Sequence, residues 1–297
     1  MDEIVKLENI SQYNSMRGVE TLHPLVSVID MSKAKPLPNG RIHFGFFCVF
    51  LKEIKCGDLK YGCNYYDYQE GTLVFVAPGQ VLGVNNKEYI QPKGWTLLFH
   101  PDLIRGTSLG HNIKDYSFFS YEINEALHLS EKERLIVLDC MNKIDYELKQ
   151  SIDKHSKTLI ANNIELLLNY CMRFYDRQFI TRNIVNKDIL VKFERLLDDY
   201  FQSEMPQTLG LPTVKYCAEK IHLSANYLGD LIKKETGKSP QEHIQLKLMD
   251  IAKERIFDTS KSVSEIAYEL GFKHPQHFSR TFKSETGYTP IQFRLLN

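Results

Sequence analysis

The sequence predicts a multidomain α+β protein: a β-rich region over residues 1–129, a helical pair over 130–180, and a C-terminal all-α domain with two helix-turn-helix units. Three observations predict this. The first hundred residues fall into short runs rich in β-branched and aromatic residues, separated by turns. From Ser130 the apolar spacing becomes that of a helix. The last third carries one pattern twice, offset by fifty residues.

The expected strands include Ile42-His43-Phe44-Gly45-Phe46, Thr72-Leu73-Val74-Phe75-Val76 and Trp95-Thr96-Leu97-Leu98-Phe99. Leu37-Pro38-Asn39-Gly40 and Ala77-Pro78-Gly79 supply turns between them. Short strands at this spacing form a sandwich or a small barrel. Ser130 with Glu133 then makes a capping box, followed by Leu135, Leu138, Met141, Ile144 and Leu148 on one helix. A second helix carries Ile160, Ile164, Leu167, Cys171 and Phe174, a heptad seam. That seam packs either on its own chain or on a second subunit, and the expectation is a homodimer through these five residues. Residues 181–186 are polar and without periodicity, so they are read as a linker, with the C-terminal domain spanning 187–297.

Composition sets the class. The 297 residues, 43% hydrophobic and 25% charged, suit two soluble domains. No apolar run approaches the roughly 18 residues a membrane span needs, and the first residues lack the order of a signal peptide, so a cytoplasmic protein without membrane contact is expected. Cys48, Cys56, Cys63, Cys140, Cys171 and Cys217 include no C-x-x-C pair and no metal spacing with His, and are expected as free core thiols; Cys56 and Cys63 flank a turn. Net charge is zero, with 37 basic and 37 acidic residues. The final stretch differs, because Lys273, Arg280, Lys283 and Arg294 face only Glu285 there. A local basic face suffices for a nucleic-acid partner.

The repeat supplies the face. Lys234-Glu235-Thr236-Gly237-Lys238-Ser239-Pro240 answers Ser284-Glu285-Thr286-Gly287-Tyr288-Thr289-Pro290. In the second unit a short helix, 264–270, ends at Gly271, and the next starts near His274-Pro275. Phe278 and Phe282 point inward, which leaves Gln276, Ser279, Arg280 and Lys283 outward at i, i+3, i+4 and i+7, with Lys273 and His277 beside them. Gln suits an adenine edge, Arg a guanine edge and Lys a phosphate. In the first unit Leu228, Leu231 and Ile232 turn inward, while Asn226, Gly229, Asp230 and Lys233 turn out, a poorer set of readers. A helix over 241–257 holds the two units apart. The sequence therefore predicts double-stranded DNA as partner, bound through Asn226, Asp230, Lys233, Lys273, Gln276, His277, Ser279, Arg280 and Lys283. An all-helical repeat without DNA is the bland alternative.

Ile266-Ala267-Tyr268-Glu269-Leu270-Gly271-Phe272, Phe278-Ser279-Arg280-Thr281-Phe282-Lys283, Gly287-Tyr288-Thr289-Pro290 and Phe293-Arg294 resemble the AraC family of transcription regulators. The resemblance covers about 187–297. It implies a bipartite domain that lays two recognition helices in successive major grooves. Ile232 stands where the family usually has an aromatic, Gly229 where it often has a polar reader, and Leu248 where it often has Arg; these departures bear on the first head's base contacts.

Members of the family commonly carry a cupin-like barrel in front, as effector pocket and dimerisation platform, and residues 71–79 resemble the second conserved cupin stretch. The fold expectation is thus a cupin-like N-terminal β-barrel with a helical pair. Arg41, His43, Phe44, Phe46, Tyr66 and Trp95 are the candidate effector residues. No H-x-H exists in the chain, and His43 and His100 lack ligand-spaced partners, so no metal, cofactor or catalytic group is expected. The expected function is sequence-specific transcription regulation under a small-molecule effector, with RNA polymerase a further candidate partner. Two rivals stand beside it: a regulator whose N-terminal half only dimerises or binds protein, and a cupin-type enzyme fused to a DNA-binding domain, which the missing metal ligands disfavour.

Overall fold

The computed structural model describes residues 4–37, 40–52, 71–84, 93–122 and 125–295. The chain divides into two units, Met1–Thr181 and Arg182–Asn297.

The first unit contains β1 (Ile4–Leu7), α1 (Ile10–Arg17), β2 (Val26–Asp30), β3 (Gly40–Phe44), β4 (Phe47–Lys52), β5 (Thr72–Val76), β6 (Val81–Val84), β7 (Gly94–Phe99) and β8 (Leu127–His128). Among the described residues the strands form two sheets, ordered β1-β3-β6 and β2-β7-β4-β5-β8, with no single closed barrel. Among the described strand pairs only β1 with β3 is parallel. Strand alternation gives both sheets a common core: Ile42 and Phe44 of β3 lie in one cluster with Cys48 and Phe50 of β4, Val74 and Val76 of β5 and Leu98 of β7. The opposite face of the five-stranded sheet is buried too. Phe75 lies 4.4 Å from Phe118 and 5.5 Å from Phe119, centroid to centroid.

Residues 72–76 and 95–99 form strands as expected. The expected strand at 42–46 stops at Phe44, because Gly45 bends the chain across Glu8: its N–H donates to the Leu7 carbonyl at 2.7 Å, and a Cβ there would lie 3.0 Å from the Glu8 Cα. The turn at 77–80 is present, with Gly79 at φ 90° and the Gln80 N–H on the Ala77 carbonyl at 3.2 Å. Pro38, Asn39, Cys56, Cys63 and Tyr66 lie outside the described residues. Cys48, Cys140, Cys171 and Cys217 are buried free thiols.

After the short helices α2 (Pro101–Ile104) and α3 (Ser108–Asn112) come α4 (Glu131–Leu148) and α5 (Ser156–Thr181). The capping box forms: the Ser130 N–H reaches Glu133 Oε2 at 2.8 Å, and the Glu133 N–H reaches Ser130 Oγ at 3.4 Å. The buried stripe of α4 is Val137, Cys140, Met141, Ile144 and Leu148, while Leu135 is exposed. Side chains of α5 hold the two-residue strand β8. Gln178 accepts from the His128 N–H at 2.8 Å and donates to the Ala126 carbonyl at 3.2 Å, and Arg177 donates to the His128 carbonyl at 2.6 Å.

The seam is covered within its own chain. Ile160, Ile164, Leu167, Cys171 and Phe174 are at most 5% exposed within their own chain, because α5 packs along α4 and onto α2, α3 and β8. Leu159 and Leu166, off the seam, are the exposed apolar residues of α5's first turns. Leu167→Glu is therefore expected to unfold the first unit instead of splitting a dimer, since an unpaired carboxylate there costs several kcal/mol. Thermal melts with sedimentation check this; a folded, monomeric variant would restore the interface reading.

The second unit is all helical: α6 (Asn183–Gln202), α7 (Met205–Leu209), α8 (Val214–Lys220), α9 (Ala225–Thr236), α10 (Pro240–Ile256), α11 (Val263–Glu269), α12 (Pro275–Thr286) and α13 (Pro290–Arg294). The expected coil linker at 181–186 is helical except at Arg182. Its polar residues start α6, and Asn186 is buried, donating to Glu235 Oε1 at 3.1 Å. Among the described residues, no helix is long and apolar enough to cross a membrane.

Candidate nucleic-acid interface

The sequence repeat is a repeat of hydrogen bonds. In the first unit Thr236 Oγ1 donates to the Ile232 carbonyl at 2.8 Å, and Gly237, at φ 75°, closes α9 with its N–H on the Lys233 carbonyl at 2.9 Å. In the second, Thr286 Oγ1 donates to the Phe282 carbonyl at 2.7 Å, and Gly287, at φ 81°, places its N–H on the Lys283 carbonyl at 2.9 Å. Ser239 and Thr289 cap α10 and α13 through capping boxes with Glu242 and Gln292, each followed by Pro in the first turn. The backbone N–H of Ser239, reinforced by its hydroxyl, holds the Glu242 carboxyl below the usual carboxylate range.

The turns inside the two heads also match. Leu223 N–H bonds the Ala218 carbonyl and Phe272 N–H bonds the Ala267 carbonyl, both at 3.0 Å. Each turn needs a left-handed residue, and the two heads differ there: Gly271 has φ 92°, whereas the first head uses His222 at φ 58°. The second turn admits only Gly for a further reason. A Cβ on Gly271 would stand 2.8 Å from the Pro206 carbonyl oxygen and 2.9 Å from the Gly210 carbonyl carbon.

With the turns fixed, the apolar stripes aim the outer faces. Phe278 and Phe282 of α12 are wholly buried, in one cluster with Leu248, Ala252 and Ile256 of α10 and Ile266 of α11. Leu228, Leu231 and Ile232 of α9 are wholly buried too. Both heads pack against α10, whose 17 residues span about 25 Å.

The structure brings the expected second-head residues together. Lys273, Gln276, His277, Arg280 and Lys283 are exposed and Ser279 is half-buried on the same side of α12. Among the described residues the side chains of Arg280, Lys273 and Lys283 form no ion pair or hydrogen bond, so their donors are free for a ligand. The His277 ring lies 5.8 Å from Phe272. His274, at the N-cap of α12, is exposed as well. Arg294 does not belong to this face. Its guanidinium donates to the Ile256 carbonyl at 2.6 Å and the Lys261 carbonyl at 3.0 Å, closing the end of α10.

On α9, Asn226 and Lys233 are exposed and Asp230 is half-buried. Gly229 has open space where a Cβ would stand and no positive φ, so packing does not demand a glycine there.

Residues 217–295 match a family model described as a helix-turn-helix domain. RhaS of Citrobacter koseri, an HTH-type transcriptional activator, is 22% identical over 250 residues, covering 78% of this chain and 86% of RhaS. The C-terminal domain belongs to the AraC family. YtdP, an uncharacterized HTH-type transcriptional regulator of Bacillus subtilis, is 32% identical over 108 residues, and that stretch is 36% of this chain but only 13% of the length of YtdP. A crystal structure of an AraC-type transcriptional regulator from Chromobacterium violaceum, 24% identical, is matched over 37% of this chain and 91% of its own with a TM-score of 0.32. The AraC-type domain here thus has one well-furnished outer helix, α12, and one sparse one, α9.

The described candidate effector residues do not converge. Phe44 and Phe46 are wholly buried in the core between the sheets, their rings 5.8 Å apart. Arg41 and His43 take the other face of β3, since Ile42 and Phe44 occupy its inner face. Trp95 shares the outer face of β7 with Leu97 and Phe99, again by strand alternation. Among the described residues no group of His, Cys, Asp and Glu is placed to hold a metal.

Proposed function

We propose that this chain is a sequence-specific transcription regulator that lays α9 and α12 into successive major-groove segments of double-stranded DNA. One observation carries the reading: Gln276, Ser279, Arg280 and Lys283 form an outward stripe, its cations unpaired, on a helix whose opposite stripe is wholly buried. Two similar heads on one helix suit the roughly 34 Å repeat of B-DNA. The description of RhaS as a transcriptional activator agrees, and contact with RNA polymerase is the corresponding proposal.

The first unit, with its two sheets around an aromatic core, serves in this reading as a cupin-like effector module. For a second copy, the exposed leucines of the helical pair are available and its buried seam is not. A scaffold role without effector is the rival, favoured by Phe44 and Phe46 filling the core.

Selection of the purified full chain on a random duplex library tests the DNA reading. The expected product is two half-motifs about 10 base pairs apart, with more information under α12, because Gly229 presents no side chain. Absence of enrichment would overturn the proposal, and equal information in both half-motifs would overturn the asymmetry.

A further inference from the structure

The inward face of α1 is made of Ile10, Tyr13, Asn14 and Arg17, at i, i+3, i+4 and i+7, and none is more than 1% exposed. Three of these four core positions are polar. Arg17 donates from Nη2 to Met31 Sδ at 3.2 Å, its Nε has no acceptor, and among the described residues no carboxylate pairs with it. Thr96, wholly buried on the inner face of β7, donates to the same sulfur at 2.9 Å. The wholly buried Tyr13 hydroxyl makes no hydrogen bond of good geometry, and the Thr96 side chain lies beside it. Burial raises its pKa, partly offset by the nearby Arg17 charge, so the phenol stays a donor.

A thioether is a weak acceptor, yet two donors from separate elements converge on it, one a guanidinium with almost no access to water. A buried cation without a counter-charge is costly, and the usual remedy is an anion. The turn after β2 lies over this point: the Met31 N–H bonds the Gly94 carbonyl at 2.9 Å, and the Lys35 N–H bonds the Arg17 carbonyl at 2.8 Å. Methionine is flexible enough to move aside. Phe44, Phe46 and Ala34 belong to the same apolar core cluster as Tyr13, so a ligand held here would need an apolar remainder.

We propose that Arg17, Thr96 and Tyr13 form a receptor for the carboxylate of a small, otherwise apolar molecule within the first unit, at the place Met31 Sδ now occupies. The carboxylate accepts from the guanidinium and the two hydroxyls. This rests on the effector reading above and gives the effector its chemical class.

Thermal unfolding of the full chain tests it, with sodium acetate, benzoate and octanoate as probes against acetamide, benzamide and octanamide at matched ionic strength. The expected result is stabilisation by at least one carboxylate and not by its amide. Arg17→Met should raise the melting temperature without ligand and weaken the carboxylate response by about tenfold or more. Met31→Glu supplies the anion from the chain itself, so it too should raise the melting temperature and abolish the response. Equal response to acid and amide, no response at all, or a Met31→Glu protein less stable than the parent would overturn the proposal, and the last measurement decides even if Arg17→Met fails to fold. Titration of the selected DNA with and without the best carboxylate separates the two readings. A change in DNA affinity that persists in Arg17→Met removes the site and keeps the effector module; an Arg17-dependent stabilisation with unchanged DNA affinity keeps the site and removes the effector role.

Discussion

Gly271→Ala should destabilise the second unit by about 2–5 kcal/mol and disable its second head. Two independent costs add at this position. A left-handed conformation costs a residue with a Cβ about 1–2 kcal/mol, and Gly271 has φ 92°. The new methyl would also stand 2.8 Å and 2.9 Å from backbone atoms of Pro206 and Gly210, which no side-chain rotation relieves; overpacking of this kind costs about 1–3 kcal/mol. His222 supplies the internal control. It carries the first cost, with φ 58° in the matching turn, so His222→Gly should stay within about 1 kcal/mol of the parent. Urea unfolding of both variants with a common m-value gives the two numbers. A Gly271→Ala protein within about 0.5 kcal/mol of the parent would mean that the Pro206–Gly210 segment yields, and that the approach is not a constraint.

The repeat was legible because it is local. Thr236, Gly237 and Ser239 each hold a hydrogen bond within a few residues, and Thr286, Gly287 and Thr289 repeat them, so the pattern of letters is a pattern of bonds. What the sequence could not display was partnership between distant segments. The spacing of Ile160, Ile164 and Leu167 says that one face of α5 is apolar, but not that α4 and neighbouring elements of the same chain cover it. Strand β4 was missed since Cys48 to Leu51 are buried on both faces of the sheet and show no alternation. Asn186 looked like linker material, and its bond to Glu235 spans 49 positions. Arg294 looked like part of the basic face, whereas its acceptors lie on carbonyls more than thirty residues away. Arg17 is the extreme instance. An arginine at the end of a short helix reads as surface, and only the fold shows it enclosed against Met31.

Arg280→Ala should weaken binding to the selected duplex by about 1–3 kcal/mol, roughly 5- to 150-fold, and relax the preference at one base pair. The size follows from where the side chain stands. Arg280 is exposed, lacks an intramolecular partner among the described residues, and lies between the buried Phe278 and Phe282 on the helix that they orient. Its removal therefore leaves the fold unchanged, and the loss is a recognition loss alone. Lys283, one turn nearer the C-terminus on the same stripe, is placed for a phosphate. Lys283→Ala should weaken all sequences alike and reduce the slope of log affinity against log salt by about one. Fluorescence anisotropy at several salt concentrations, on the selected site and on single-base variants, distinguishes these outcomes. Asn226→Ala on α9 is expected to cost less than Arg280→Ala, because that helix offers Gly229 and a half-buried Asp230 beside it. If Arg280→Ala retains both affinity and specificity while Asn226→Ala loses them, the reading head is α9, and the unpaired stripe of α12 serves some other contact.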